Sequence, residues 1–182
     1  MLSCEAVGCI MTPAGDQLPQ RLLHVFSELR RLIAELRPDV VSVERLFFQT
    51  NVRTAMVVGQ ASGLALLAAA EAGLPVVQYT ANEVKQAVAG YGSAPKEQVQ
   101  KMVTAQLRLS EVPEPDDAAD GLALALCHLA SARLGLLTSA RAPGGDALGN
   151  ARVAATFNGL RLAGSGPASG PASGPPNRGG IR

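Results

Sequence analysis

Residues 38–51 read PDVVSVERLFFQTN, and this stretch decides the fold. Val40, Val41 and Val43 form an apolar extended run broken only by Ser42. Such a continuous run is the pattern of an interior strand in an α/β sheet, whereas a half-exposed hairpin strand would alternate apolar and polar residues. The run delivers one carboxylate, Glu44, and the loop behind it opens with two aromatics, Phe47 and Phe48. A carboxylate at the end of a buried strand is costly without a partner. The C-terminal edge of strands in an α/β sheet is also where sites are built.

Working outward, residues 18–37 place Leu22, Phe26, Leu29, Ile33 and Leu36 at helical spacing, with Arg30, Glu35 and Arg37 opposite them. The spacing predicts an amphipathic helix that Pro38 stops. Behind the strand, Asn51 can cap a helix running to Ala72, with Gly73 and Pro75 closing it. Gly59 and Gly63 lie four apart on that helix among alanines. This spacing admits close packing on the chain's own sheet or on the same helix of a second copy. Residues 75–79, PVVQY, predict another short strand. Thr80 and Glu83 then form a T-x-x-E capping box for a helix over residues 82–89. Gly90-Tyr91-Gly92 reads as a hinge, Ser93 as the cap of a helix to about Leu109, and residues 116–136 as an Ala/Leu-rich helix. Residues 2–12 are partly β-prone.

With 182 residues, 47% of them hydrophobic, the chain can bury one good core plus a tail. We expect one α/β domain over residues 1–138. Residues 139–182 read as a basic, Gly/Pro/Ser-rich disordered tail, because a segment without apolar periodicity cannot offset the cost of ordering. Net charge is +1, which gives no global argument for a polyanion partner. Its distribution says more: residues 1–140 carry eleven Lys/Arg against fourteen Asp/Glu, and residues 141–182 carry five Arg against Asp146. Cys4, Cys9 and Cys127 have no metal-ligand or disulfide spacing, which fits a reducing cytoplasm. The most membrane-like window, residues 56–74, is interrupted by Gln60 and Glu71. It reads as a buried helix, and no membrane partner is expected.

Asp117 and Asp120 are three apart at a helix start, so both project from one face within a turn. Taken alone, they fit N-terminal capping and helix-dipole stabilisation better than a site. With Glu44 they make an all-oxygen set suited to Mg²⁺ or Mn²⁺, and no His or Cys suggests zinc. The only lysines, Lys85, Lys96 and Lys101, flank the Gly90–Gly92 loop, a placement suited to phosphate-backbone contacts or simply to a solvated face. Phe47 and Phe48 suit stacking on bases or plugging of the core. His24 and His128 read as surface or boundary histidines.

Three segments in order, VVSVERLFFQTNVRTAMVVGQASG, YTANEVKQAVAGYGSAPKEQVQKMV and PDDAADGLALALCH, closely resemble the RuvC family of bacterial Holliday junction resolvases. The resemblance spans about residues 2–135. It implies a ribonuclease H-like fold with a mixed sheet flanked by helices. It also implies a homodimeric, Mg²⁺-dependent endonuclease, with two ions per site, that makes paired symmetric nicks in four-way junction DNA during recombination and repair. RuvA–RuvB is its implied partner. The resemblance places metal-binding catalytic carboxylates at Glu44, Asp117 and Asp120, DNA contacts at Phe47, Lys85 and Lys96 with Phe48 adjacent, and a dimer interface around Gly59 and Gly63. Family members begin with two further strands, the first bearing an Asp in a G-I-D-P-G-like turn that completes the metal site. Asp16 and Asp39 are wrongly placed to supply it. The expectation is therefore a chain written from a late start, lacking its first two strands, or else a catalytically inactive junction-binding protein. A metal-dependent hydrolase of a small phosphorylated substrate is a third reading, against which the Phe47-Phe48 loop and the lysines argue.

Overall fold

Arg37 turns the chain into the sheet: it adopts φ 46° and donates its backbone N–H to Ile33 O, ending helix α1 (Leu18–Leu36) just before Pro38. The structure, a computed structural model, describes residues 2–45, 52–139 and 153–156. After α1 come β1 (Val40–Glu44), α2 (Val52–Glu71), β2 (Val76–Tyr79), α3 (Ala81–Ala89), α4 (Lys96–Leu107), α5 (Asp116–Ser139) and β3 (Val153–Thr156).

The run at residues 40–44 is the central strand, in the order β2-β1-β3. Both pairings are parallel, with Glu44 opposite Tyr79 on one side and Val43 opposite Thr156 on the other. The resemblance implies a mixed sheet, but among the described residues every pairing is parallel. With a neighbour on each edge, β1 is buried throughout until Glu44, which is half-buried. Its continuous apolar pattern has that cause.

Helices cover both faces. Val41 and Val43 belong to a core cluster with Val25 and Leu29 of α1 and Ala65, Ala68 and Ala69 of α2. Side chains alternate along a strand, so Ser42 and Glu44 project to the other face. There α5 packs across the sheet, and a second core unites Val88 of α3, Ala94 just before α4, Val99 and Val103 of α4, and Ala123 and Leu126 of α5. The alanines of α2 seat that helix closely on the sheet, while Met56 and Leu67 on its outer side stay 61% and 54% exposed.

Two boundaries differ from the sequence reading. Residues 153–156, expected in a disordered tail beginning at 139, form β3, and α5 continues to Ser139. Val-Ala-Ala-Thr is too short to announce a strand; β1 and α5 make it one by offering a ladder and an apolar face. Ser93 does not cap α4: Pro95 does, because Pro fixes the extended backbone angle that the cap position requires. Residues 2–12 carry no assigned strand. Asn51 lies outside the described residues.

Candidate active site

Parallel pairing sets Glu44 beside Tyr79 at the C-terminal edge of the sheet, and Arg45 N–H donates to Tyr79 O at 2.7 Å to close the ladder there. Glu44 faces α5, whose first turns carry Asp116, Asp117 and Asp120. Burial pushes the Glu44 carboxyl above its ordinary range, and the negative charge of Asp120 pushes it further. Asp120, its side chain only 15% exposed, is raised as well. Burial is the main cause, Asp117 and Asp116 add to it, and Lys96 opposes. Two acids from distant parts of the chain thus both resist ionisation, Glu44 within the field of Asp120, an arrangement that marks a candidate site.

One cation is already there. Lys96, the first residue of α4, places Nζ 3.0 Å from Asp120 Oδ2 and 3.4 Å from Asp116 Oδ2. Burial alone would lower its pKa, but the hydrogen bonds and charges of Asp120 and Asp116 outweigh burial and raise it. Gln100, one turn along α4, donates from Nε2 to Asp116 Oδ1 at 3.1 Å. Asp116 is therefore clasped by two α4 side chains. The sequence reading passed over it, although its neighbours in the DDAAD run were singled out.

Two further groups adjoin the carboxylates. The Cys9 thiol is pushed up first by burial and then by Asp117 and Asp120, which places the N-terminal segment beside α5. Tyr79 Oη lies 2.9 Å from His128 Nδ1, and the two rings meet edge to face at 6.0 Å between centroids. Burial lowers the His128 pKa. His128, read from sequence as a boundary residue, is a partner that ties α5 to β2 next to Glu44. The position of Glu44 within its strand, together with the eight-position spacing from Asp120 to His128 along one helix, was the signal that could have found it.

The carboxylate oxygens fit an oxygen-seeking divalent ion such as Mg²⁺ or Mn²⁺, and burial of Glu44 and Asp120 favours a cation beside them. Among the described residues no three Asp, Glu, His or Cys side chains stand close enough together to form a ready metal cage. Glu44, Asp117 and Asp120 are gathered at one edge of the sheet without being closed into a coordination sphere.

Lys85 is half-buried on α3. Phe47 and Phe48 lie outside the described residues. Gly63 is exposed on α2, and a Cβ added there would meet nothing within 4 Å. Packing on the chain's own sheet, one of the two readings of the Gly59/Gly63 spacing, is thus not what Gly63 serves.

Helices on both faces of a parallel sheet, with acids from the central strand and from the crossing helix meeting at its C-terminal edge, define an α/β domain of the ribonuclease H-like kind. The chain belongs to the RuvC family, since the family model of the crossover junction endodeoxyribonuclease RuvC matches residues 1–128. It is 58% identical over 120 residues to the crossover junction endodeoxyribonuclease RuvC of Moorella thermoacetica, covering 66% of this chain and 72% of that one. To the protein of the same name from Chloroflexus aggregans it is 57% identical over 122 residues, covering 67% and 74%. Among solved structures, it resembles Thermus thermophilus RuvC with a TM-score of 0.63 and 41% identity, over 68% of this chain and 75% of that one. The same protein in complex with a Holliday junction substrate gives a TM-score of 0.66 at 40% identity, over 69% and 76%. Among the described residues no helix is long and apolar enough to cross a membrane.

Proposed function

We propose that this chain resolves four-way DNA junctions by metal-dependent hydrolysis of phosphodiester bonds, with Glu44, Asp117 and Asp120 as its acidic centre. The observation that carries the reading is the raised pair Glu44 and Asp120, brought together by β1 and α5 in a chain of this family. Divalent ions, Mg²⁺ or Mn²⁺ and two per site by family resemblance, would supply an activated water and charge stabilisation at the leaving oxygen. The chain's own residues do the rest. The carboxylates hold the acidic pocket at the sheet edge, and the Tyr79–His128 contact fixes α5 against β2 so that Asp120 keeps its position relative to Glu44. Lys85 and Lys96 supply cations from α3 and α4 for phosphate oxygens. Phe47 and Phe48 are assigned to the bases at the crossover.

Paired nicks on opposite strands need two such centres, and the outer side of α2, with Gly63, Met56 and Leu67 exposed, supports a homodimer built there. RuvA–RuvB is the proposed partner and the cytoplasm the proposed compartment, where Cys4, Cys9 and Cys127 remain free thiols.

A synthetic four-way junction incubated with the full chain and Mg²⁺ tests the reading. Paired symmetric nicks that vanish in Asp120→Asn are expected. Tight junction binding without nicks identifies an inactive junction-binding protein, and equal affinity for junction and linear duplex overturns the proposal.

A further inference from the structure

Lys96 stands where helix electrostatics disfavour it. As the first residue of α4 it lies at the positive end of the helix dipole, where an acid is favoured and a cation opposed. Pro95 caps the helix without any side-chain hydrogen bond to offset this. What holds Lys96 there is the acids of another helix: Asp120 at 3.0 Å and Asp116 at 3.4 Å. The clasp is asymmetric. Asp116 keeps a second partner in Gln100, so removing the lysine leaves Asp116 anchored while Asp120 loses the cation beside its carboxylate. The Lys96 side chain is 44% exposed and rides on a flexible four-carbon stem, so it can leave without disturbing either helix.

We propose that Lys96 is a built-in counter-cation that occupies the place of a divalent ion at Asp120, so that metal entry expels it and DNA phosphate then receives it. The inference rests on the proposed metal-dependent, DNA-directed reading of the site and adds an order of events to it. A divalent ion brings twice the charge of an ammonium and prefers carboxylate oxygen, so it displaces Lys96 from Asp120. The expelled ammonium has lost its acidic partner at the sheet edge, and a backbone phosphate is the available replacement. Because coupling between two binding events is reciprocal, DNA that draws Lys96 away makes Asp120 a better metal ligand by the same factor. The device keeps the acidic site partly neutralised until a divalent ion enters.

Two measurements on the full chain test this without reading cleavage. Mn²⁺ titration of the DNA-free protein, followed by the electron paramagnetic resonance of free Mn²⁺, compares wild type with Lys96→Met and Lys96→Arg. Lys96→Met is expected to bind Mn²⁺ about two- to fivefold tighter, the range set by a solvent-screened ion pair, while Lys96→Arg stays near wild type. Equal or weaker Mn²⁺ binding by Lys96→Met overturns the proposal. The second measurement needs no variant. The chain has only three lysines, so acetylation by a small amine-reactive ester can be followed at each by mass spectrometry. Lys96 should react faster once Mn²⁺ is added and Lys101 should not; a Lys96 rate that is unchanged or slowed refutes the displacement. Failure of the broader reading looks different: a wild-type chain that shows both metal effects but nicks no junction keeps the counter-cation and loses the nuclease.

Discussion

Replacing Glu44 by Gln should stabilise the fold while abolishing cleavage, and the two effects have one cause. Glu44 ends the central strand half-buried, its carboxyl raised first by burial and then by Asp120. Where the folded state raises an acid's pKa, the group ionises less readily in the fold than in the unfolded chain, so its ionisation costs stability. That cost is absent below the ordinary glutamate value of 4.5, grows as pH rises from there to the raised folded-state value, and is complete above it. Glutamine has nearly the same shape and carries no charge. The gain expected at pH 8 is about 0.5–2 kcal/mol, the usual size of a stabilising replacement. For a domain of this size each kcal/mol moves Tm by about 2–4 °C. Calorimetric or urea unfolding at pH 8 and again below pH 4.5 measures it, and the advantage of the variant should vanish at the lower pH. Junction cleavage should fall by about a hundred- to a thousandfold or more, the loss typical when one preorganised electrostatic group is removed from a site. A variant that is less stable than wild type at pH 8, or whose advantage grows on acidification, would refute the assignment of Glu44 as a strained, cation-seeking acid.

Other outcomes follow from the fold. Leu124→Ala truncates the largest fully buried side chain among the described residues, 1% exposed on α5, and should cost about 2–5 kcal/mol in urea unfolding. Thr80→Ala removes the capping box in which Thr80 Oγ1 accepts from Glu83 N–H at 3.2 Å and Glu83 Oε2 accepts from Thr80 N–H at 2.7 Å; the loss should be about 1 kcal/mol, read as a lower Tm. A chain ending at Ser139 lacks β3 and leaves one edge of β1 without its parallel partner. At about 0.5–1.5 kcal/mol for each ladder hydrogen bond lost, chemical denaturation should show a loss of several kcal/mol. An unchanged midpoint would return residues 153–156 to the status of a dispensable tail.

Much of the fold was legible because local chemistry sufficed. The boundaries of α1 follow from periodicity and Pro38, the start of α3 from a capping box complete in four residues, and the interior place of β1 from an unbroken apolar run. Local chemistry failed at residues 153–156 and at Ser93. Val-Ala-Ala-Thr becomes a strand only because β1 offers an edge, and Ser93 yields the cap to Pro95 because backbone geometry outweighs a hydroxyl. In the candidate site, Glu44, Asp117 and Asp120 were legible as acids in telling positions.

The sequence by itself determined the kinds of group available: carboxylates and no zinc-type ligands at the strand end and helix start, three clustered lysines, and the motifs of the RuvC family. Only the tertiary structure decided which groups act on which. Glu44 and Asp120 are 76 positions apart in the chain, and their mutual repulsion exists because α5 crosses the sheet at the end of β1. The clasp of Lys96 on Asp116 and Asp120, and the Tyr79–His128 tie beside Glu44, arise from the same crossing. Charge and hydrogen bonding act through a few ångströms of space, and it is the packing of helices on the sheet that sets those distances.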